Sequence, residues 1–131
     1  MRIGELAKRV GTTTRALRFY EDQGLLAARR AANGYREYDE DDLRLVSEIQ
    51  ALQAVGLSLD DTRPFVECLR AGNPAGDACA DSIEVYRRKL AEVDACLERL
   101  GTVRSGLLAK LARAMARDPG TCGVPETTEE R

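Results

Sequence analysis

Residues 14–21, Thr14-Arg15-Ala16-Leu17-Arg18-Phe19-Tyr20-Glu21, decide how this chain is read. On a helix, Ala16, Leu17 and one of Phe19 or Tyr20 line an inner face, and Arg15 and Arg18 are left projecting outward. Phe19 is expected to pack in the core. Thr12 or Thr13 is placed to cap this helix, which runs to about Gly24. Just upstream, Ile3, Leu6, Ala7 and Val10 recur at helical spacing and stop at Gly11, a helix end. Helix, short glycine-containing turn and helix together make a helix-turn-helix.

Working outward, Leu25 to Ala28 and Tyr35 to Tyr38 flank a polar stretch holding Asn33-Gly34, the signal of a tight hairpin turn. A small β wing is therefore expected. Asp39 can cap a helix reaching Gly56, with Leu43, Val46, Ile49, Leu52 and Val55 on one stripe. Ser58 can cap another running to about Arg70, which Pro64 should bend or delay because proline lacks a backbone donor. Ala71-Gly72-Asn73-Pro74-Ala75-Gly76 reads as a linker.

Beyond it lies the longest pattern. Ile83, Tyr86, Leu90, Val93, Leu97 and Leu100 alternate steps of three and four, Arg104 interrupts, and Leu107 and Leu111 resume the register. A seven-residue repeat of this kind specifies a coiled-coil seam. Asp81 with Glu84 resembles a capping box, so the helix is expected near 81–117, a rod of about 50 Å at 1.5 Å per residue. A small head cannot cover such a seam, whereas a second chain can. The fold class is thus mainly α. A winged helix-turn-helix head (1–70) is followed by a linker (71–80), a long dimerisation helix (81–117) and a C-terminal effector loop and flexible tail (118–131), polar and expected to be disordered from Gly123 onward.

Charge sharpens the picture. The formal net charge of −2 conceals a basic head and an acidic body. Residues 1–38 carry eight Lys/Arg against four Asp/Glu, and the remainder carries twelve against eighteen. One end suits phosphate and the other does not. Histidine is absent, which removes the commonest general base and nitrogen ligand, so an enzyme is not expected. No signal peptide or membrane-length apolar run stands out, and a cytoplasmic location is expected, with the cysteines reduced.

The wording of residues 3–66 resembles the MerR family of transcription regulators, above all Ile3-Gly4-Glu5-Leu6-Ala7, residues 14–21, Gly24-Leu25-Leu26, Asn33-Gly34-Tyr35-Arg36 and Tyr38. The resemblance implies a homodimer joined by an antiparallel coiled coil, with two recognition helices in successive major grooves of a near-palindromic promoter operator that RNA polymerase also occupies. It further implies activation by effector-driven DNA distortion, the deformation energy of the duplex acting as the switch. Carried over residue by residue, Arg15, Arg18 and Tyr20 fall at DNA-contacting positions of the recognition helix. Arg36, with Tyr38 beside it, is the wing's phosphate candidate. Thr13 and Thr14 stand at the helix N-terminus, where hydroxyls and free N–H groups can meet a phosphate or a base edge.

The four cysteines, Cys68, Cys79, Cys96 and Cys122, form no CxxC pair, which argues against a zinc finger. The resemblance places Cys79 and Cys122 where short members of the family sense metals or oxidants. A helix N-terminus favours a Cys79 thiolate, and an antiparallel dimer can bring Cys79 of one chain to Cys122 of the other as a site for a thiophilic metal ion. The further cysteine of the three-cysteine mercury members is missing, since residues 113–116 read Arg-Ala-Met-Ala. The loop pair of the copper members and the four clustered cysteines of the iron–sulfur members are missing too. Cys68 and Cys96 are expected to be small packed hydrophobes, a Cys68–Cys79 redox pair being the alternative for the former. No drug-binding domain is expected after the long helix. An organic effector held in an apolar pocket between the head and the coiled coil stays open as the other route. Three functions follow in order: an effector-gated regulator, a constitutive DNA-architectural protein or repressor without a ligand, and, last, a thiol enzyme that would need Lys, Asp or Glu as its base.

Overall fold

A computed structural model of the chain describes residues 1–27 and 29–117. Helix α1 spans Ile3–Val10 and ends at Gly11, whose φ of +74° is the left-handed conformation that closes a helix and that glycine adopts without a side-chain clash. Thr13 caps α2, Thr14–Asp22, by accepting the Ala16 N–H at 3.1 Å. The helix buries Leu17 and Tyr20, positions three apart on one face. Phe19 departs from expectation. It lies four residues from Arg15, on the outer face, and 51% of it is exposed.

The wing is smaller than the sequence suggested. Strand β1, Arg29–Arg30, pairs antiparallel with β2, Arg36–Glu37, in the register Arg29 to Glu37 and Arg30 to Arg36. The Ala31 N–H reaches the Tyr35 carbonyl, and Gly34, at φ +87°, closes a three-residue Ala32-Asn33-Gly34 loop with Asn33 Oδ1 accepting the Tyr35 N–H. The turn is centred where expected but is one residue longer. Leu25 and Leu26, expected to open the first strand, are buried in the core instead, and Ala28 lies outside the described residues.

Helix α3, Glu40–Ala54, opens with a capping box in which Asp39 and Asp42 each accept the other's backbone N–H. Its inner face carries Leu45, Val46, Ile49 and Leu52; Leu43 is only partly buried, and Val55 is exposed past the helix end. Ser58 and Asp61 repeat the reciprocal cap over a 3-10 turn at Asp60–Thr62. Helix α4 then runs Arg63–Arg70 with Pro64 in its first turn, where no intrahelical donor is needed. Pro64 thus delays the helix and leaves it unbent at its core.

Helix α5, Ala80–Ala116, starts one residue before the expected Asp81. The Cys79 carbonyl takes the first N–H bonds, from Ser82 and Ile83, so Asp81 sits inside the first turn and is not the cap. Two compact units result, 1–89 and 90 onward.

In residues 1–89, α1 packs against α2 and α3, and α3 against α4. One cluster gathers Leu6, Leu17, Leu25, Val46, Ile49 and Val66. A second joins Leu52, Leu57, Phe65 and Val85, with Tyr86 packed against Phe65 at a ring separation of 5.0 Å. Tyr86, expected on the dimer seam, therefore belongs to the head's own core. The expected linker is packed as well. The Gly76 backbone lies so close to Phe65 that a Cβ there would come within 3.2 Å of it. Ser82 Oγ donates to the Gly76 carbonyl at 2.6 Å, and Arg44 donates to that of Pro74.

From residue 90 the described chain is the rest of α5. Leu90, Val93, Leu97, Leu100, Leu107 and Leu111 are all exposed along it, and Val103, not read from the sequence, carries the stripe past Arg104. No described helix is long and apolar enough to cross a membrane.

Candidate nucleic-acid interface

The capped start of α2 leaves Arg15, Arg18 and Phe19 on its exposed face, while Leu17 and Tyr20 anchor the opposite face. Thr13 spends its hydroxyl oxygen on the cap and Thr14 is half-buried beside it. Neither Arg15 nor Arg18 has a side-chain partner among the described residues.

Between α2, the start of α1 and the wing lies a groove of about 300 Å³ lined by Arg2, Ile3, Arg18, Arg30, Gly34, Tyr35 and Arg36. Four guanidinium groups and no carboxylate line it. Arg2 stacks 3.9 Å from the centre of the exposed Tyr35 ring, and Arg30 is steadied by the Gly34 carbonyl at 2.8 Å. Arg18 and Arg36 were legible from the sequence as candidates. Arg2, Arg30 and Tyr35 were not, though both arginines contributed to the basic excess of the first 38 residues.

Arg36 is not a free wing charge. Its guanidinium pairs with Glu21 at 2.8 Å, and the same buried Glu21 carboxylate accepts the Tyr38 hydroxyl. Burial first, then the Glu21 carboxylate, pushes the Tyr38 phenol up to about 12, so it stays a donor. The Tyr20 hydroxyl donates to Gln53 Oε1 at 3.3 Å, and burial raises its pKa as well. Tyr20 and Tyr38, expected among the DNA-facing residues, are thus buried, with both hydroxyls engaged inside the head. They join α2 to α3 and to the wing. Arg29 holds the wing from its other side, meeting Asp42 at 2.7 Å and Asp39 at 3.0 Å.

The cysteines also differ from expectation. Cys68 and Cys79 form a disulfide, so neither is the reduced thiol expected, and Cys79 is joined to Cys68 in its own chain. Cys96, expected to be packed, is exposed; it flanks the α5 stripe, three residues from Val93 and four from Leu100. Cys122, the other expected sensing residue, lies outside the described residues. No cluster of three or more metal-ligating side chains occurs among the described residues. A cavity of about 450 Å³ within residues 1–89 is walled by Arg29, Asp39, Asp42, Arg44 and Arg70, among others. Those five side chains are already paired or bound to carbonyls, unlike the apolar pocket considered for an organic effector.

A helix-turn-helix whose second helix presents unpaired arginines, joined to a basic two-stranded wing, defines a DNA-binding head of the winged helix-turn-helix class. The model of MerR HTH family regulatory proteins matches residues 1–67, and the "MerR, DNA binding" model matches residues 43–110. The chain belongs to the MerR family of DNA-binding transcription regulators, which are not enzymes. It is 32% identical over 130 residues to the HTH-type transcriptional regulator CueR of Escherichia coli O157:H7, covering 96% of this chain and 92% of that one. It is 29% identical to the regulator HmrR of Rhizobium leguminosarum bv. viciae, covering 96% and 95%. Among solved structures it is similar to the transcription regulator PbrR691 of Ralstonia metallidurans CH34 in complex with lead(II), at a TM-score of 0.70 and 29% identity, covering 95% of each chain. HiNmlR, a MerR family regulator lacking the sensor domain, bound to promoter DNA, aligns at a TM-score of 0.54 and 28% identity, covering 88% of this chain and 89% of that one.

Proposed function

We propose that this chain is a regulator responsive to a thiophilic metal ion, which binds a near-palindromic promoter operator as a homodimer and activates transcription by distorting the DNA. The observation that carries the DNA-facing half is the carboxylate-free groove lined by Arg2, Arg18, Arg30 and Arg36, with Arg15 exposed three residues before Arg18 on the recognition helix. Thr13, Thr14, Arg15 and Arg18 meet the major groove and its edge; Arg30 and Arg36 meet flanking phosphates, and phosphate contacts outnumber base contacts. Tyr20 and Tyr38 act from behind, fixing the angle between recognition helix and wing.

Dimerisation is supported by the exposed stripe. Leu90, Val93, Leu97, Leu100, Leu107 and Leu111 form a length of apolar helix surface that a second α5, antiparallel in this reading, would cover. Ile83, also expected on the seam, is 40% exposed within residues 1–89. RNA polymerase then shares the promoter. The lead(II) bound by PbrR691 supports a soft ion as effector here, with Cys79 and Cys122 as its thiolate donors. A constitutive DNA-bound repressor or architectural protein is the competing reading.

A footprint on operator DNA, with and without lead(II) and cuprous ion, tests the proposal. Metal-dependent distortion at the centre of the site, lost in Cys79→Ser, is the expected result. An identical footprint under every ion would leave the constitutive reading standing.

A further inference from the structure

From the Cys68–Cys79 pair we infer a reversible dithiol–disulfide site that is closed by peroxides and opened by small thiols, and that governs whether Cys79 is available to bind a metal. The second half rests on the metal-responsive reading given above; the first half does not.

The two cysteines are eleven residues apart, with Cα atoms 6.0 Å from each other, in the range a disulfide bridges without moving the backbone. They sit unequally. Cys68 is buried on α4, whereas Cys79 is half-buried at the start of α5 and within reach of a small solute. Asn73 holds the joint together: its amide donates to the Cys68 carbonyl at 2.9 Å and to Cys79 Sγ at 3.4 Å. Cys79, the more exposed of the two, is the sulfur that a peroxide reaches first, which makes Cys79 the attacking residue and Cys68 the resolving one. A transcription regulator works beside DNA, in a compartment whose thiol pools keep structural disulfides scarce, so a bridge this accessible opens and closes with the oxidant level.

The Cys79 thiolate attacks one oxygen of a peroxide, the O–O bond breaks, and hydroxide leaves and takes up a proton as water. Cys79 is then a sulfenic acid. The Cys68 thiol displaces its hydroxyl, forming the S–S bond and releasing a second water. Two electrons have passed from the sulfurs to the peroxide. Two small thiols return them by exchange.

Closure has two consequences in this fold. The Cys79 sulfur ceases to be a thiolate donor. The bond also ties the first turn of α5 to α4, whose Arg63 and Arg70 donate to the Gln23, Gly24 and Leu25 carbonyls just past the recognition helix.

The test uses the full chain, reduced and then treated with hydrogen peroxide, with alkylation mapped by peptide mass. Peroxide should protect Cys68 and Cys79 together while leaving Cys96 and Cys122 labelled, and dithiothreitol should restore all four. A Cys96→Ser, Cys122→Ser double variant should close the same bond and run as a monomer on a non-reducing denaturing gel, which excludes a bridge between chains. If Cys68 and Cys79 stay as reactive as Cys96 after peroxide, or become linked to different partners, the site is refuted. In a second arm, lead(II) should bind the reduced chain and bind the oxidised one at least tenfold more weakly. Equal lead(II) binding by both forms would overturn control over the metal. Absence of binding by either, with the mapped bond intact, would sink the metal-responsive reading and uphold the redox site.

Discussion

Replacing Arg18 with alanine separates DNA recognition from folding. Arg18 is exposed on α2 and has no side-chain partner among the described residues, so its loss should change stability by less than about 0.5 kcal/mol. On DNA the effect is electrostatic. Each phosphate neutralised contributes about 0.9 to the slope of log K against log salt, so two copies of Arg18 in a homodimer contribute about 1.8. From about 50 to about 200 mM salt, log salt rises by about 0.6, so the affinity of Arg18→Ala should fall about tenfold less than that of the wild type over this interval. Fluorescence anisotropy of a labelled operator across a salt titration measures both slopes, and urea unfolding checks the fold. A slope equal to that of the wild type, with the protein folded and dimeric, would show that Arg18 meets no phosphate and that the groove is misassigned. Arg36→Ala makes an informative contrast. It also frees the buried Glu21 carboxylate from its guanidinium and should lower stability as well as affinity.

Leu97→Glu should dissociate the dimer. Losing about 2 kcal/mol of burial per leucine, twice per dimer, gives about 4 kcal/mol, or roughly a thousandfold in the dissociation constant; a dimer of unchanged strength by analytical ultracentrifugation would exclude the stripe as the seam. Phe65→Ala should cost about 3–5 kcal/mol in denaturant unfolding, because Phe65 is fully buried and holds Val85, Tyr86 and Gly76 around it. A cost below about 1 kcal/mol would mean that the first turns of α5 do not share the head's core. Tyr38 should ionise near 12 in an ultraviolet titration, later than an unperturbed phenol at 10. Because the unfolded chain loses that proton first, stability should fall as pH rises from 10 toward 12; a normal titration for Tyr38, seen by difference from Tyr38→Phe, would remove the Glu21 contact.

The head was legible in the sequence because its signals are local. Thr13 before a buried Leu17, Asp39 before Asp42 and Gly11 after Val10 each specify a helix end through a backbone bond a few residues away. Phe19 was misjudged for a long-range reason. Hydrophobicity alone does not show which of two adjacent aromatics faces α3, and the bond between Tyr20 and Gln53, thirty-three residues on, settles it. Arg2 and Arg30 were missed for the same kind of reason, since only the folded wing brings them beside Arg18. The linker was read from composition, which reports backbone freedom and is blind to packing. At Gly76 a Cβ would press on Phe65 and on the Glu48 carboxylate.

That packing changes what the region between head and long helix can do. A flexible Gly-Asn-Pro stretch would leave the first turns of α5 loose from the recognition helix, whereas within residues 1–89 those turns are packed. Val85 and Tyr86 press on Phe65 of α4. The same helix reaches Gln23, Gly24 and Leu25 through Arg63 and Arg70, and those three carbonyls lie where α2 ends and the approach to the wing begins. Contacts of this kind transmit displacement only if some element along the path has two stable arrangements. Buried aromatic packing has one, and arginine–carbonyl bonds adjust without switching. The Cys68–Cys79 pair, bonded in one redox state and separate in the other, is the element in this path with two covalent arrangements. It also holds one of the two proposed metal donors, so metal and oxidant would act on the recognition helix through the same few residues.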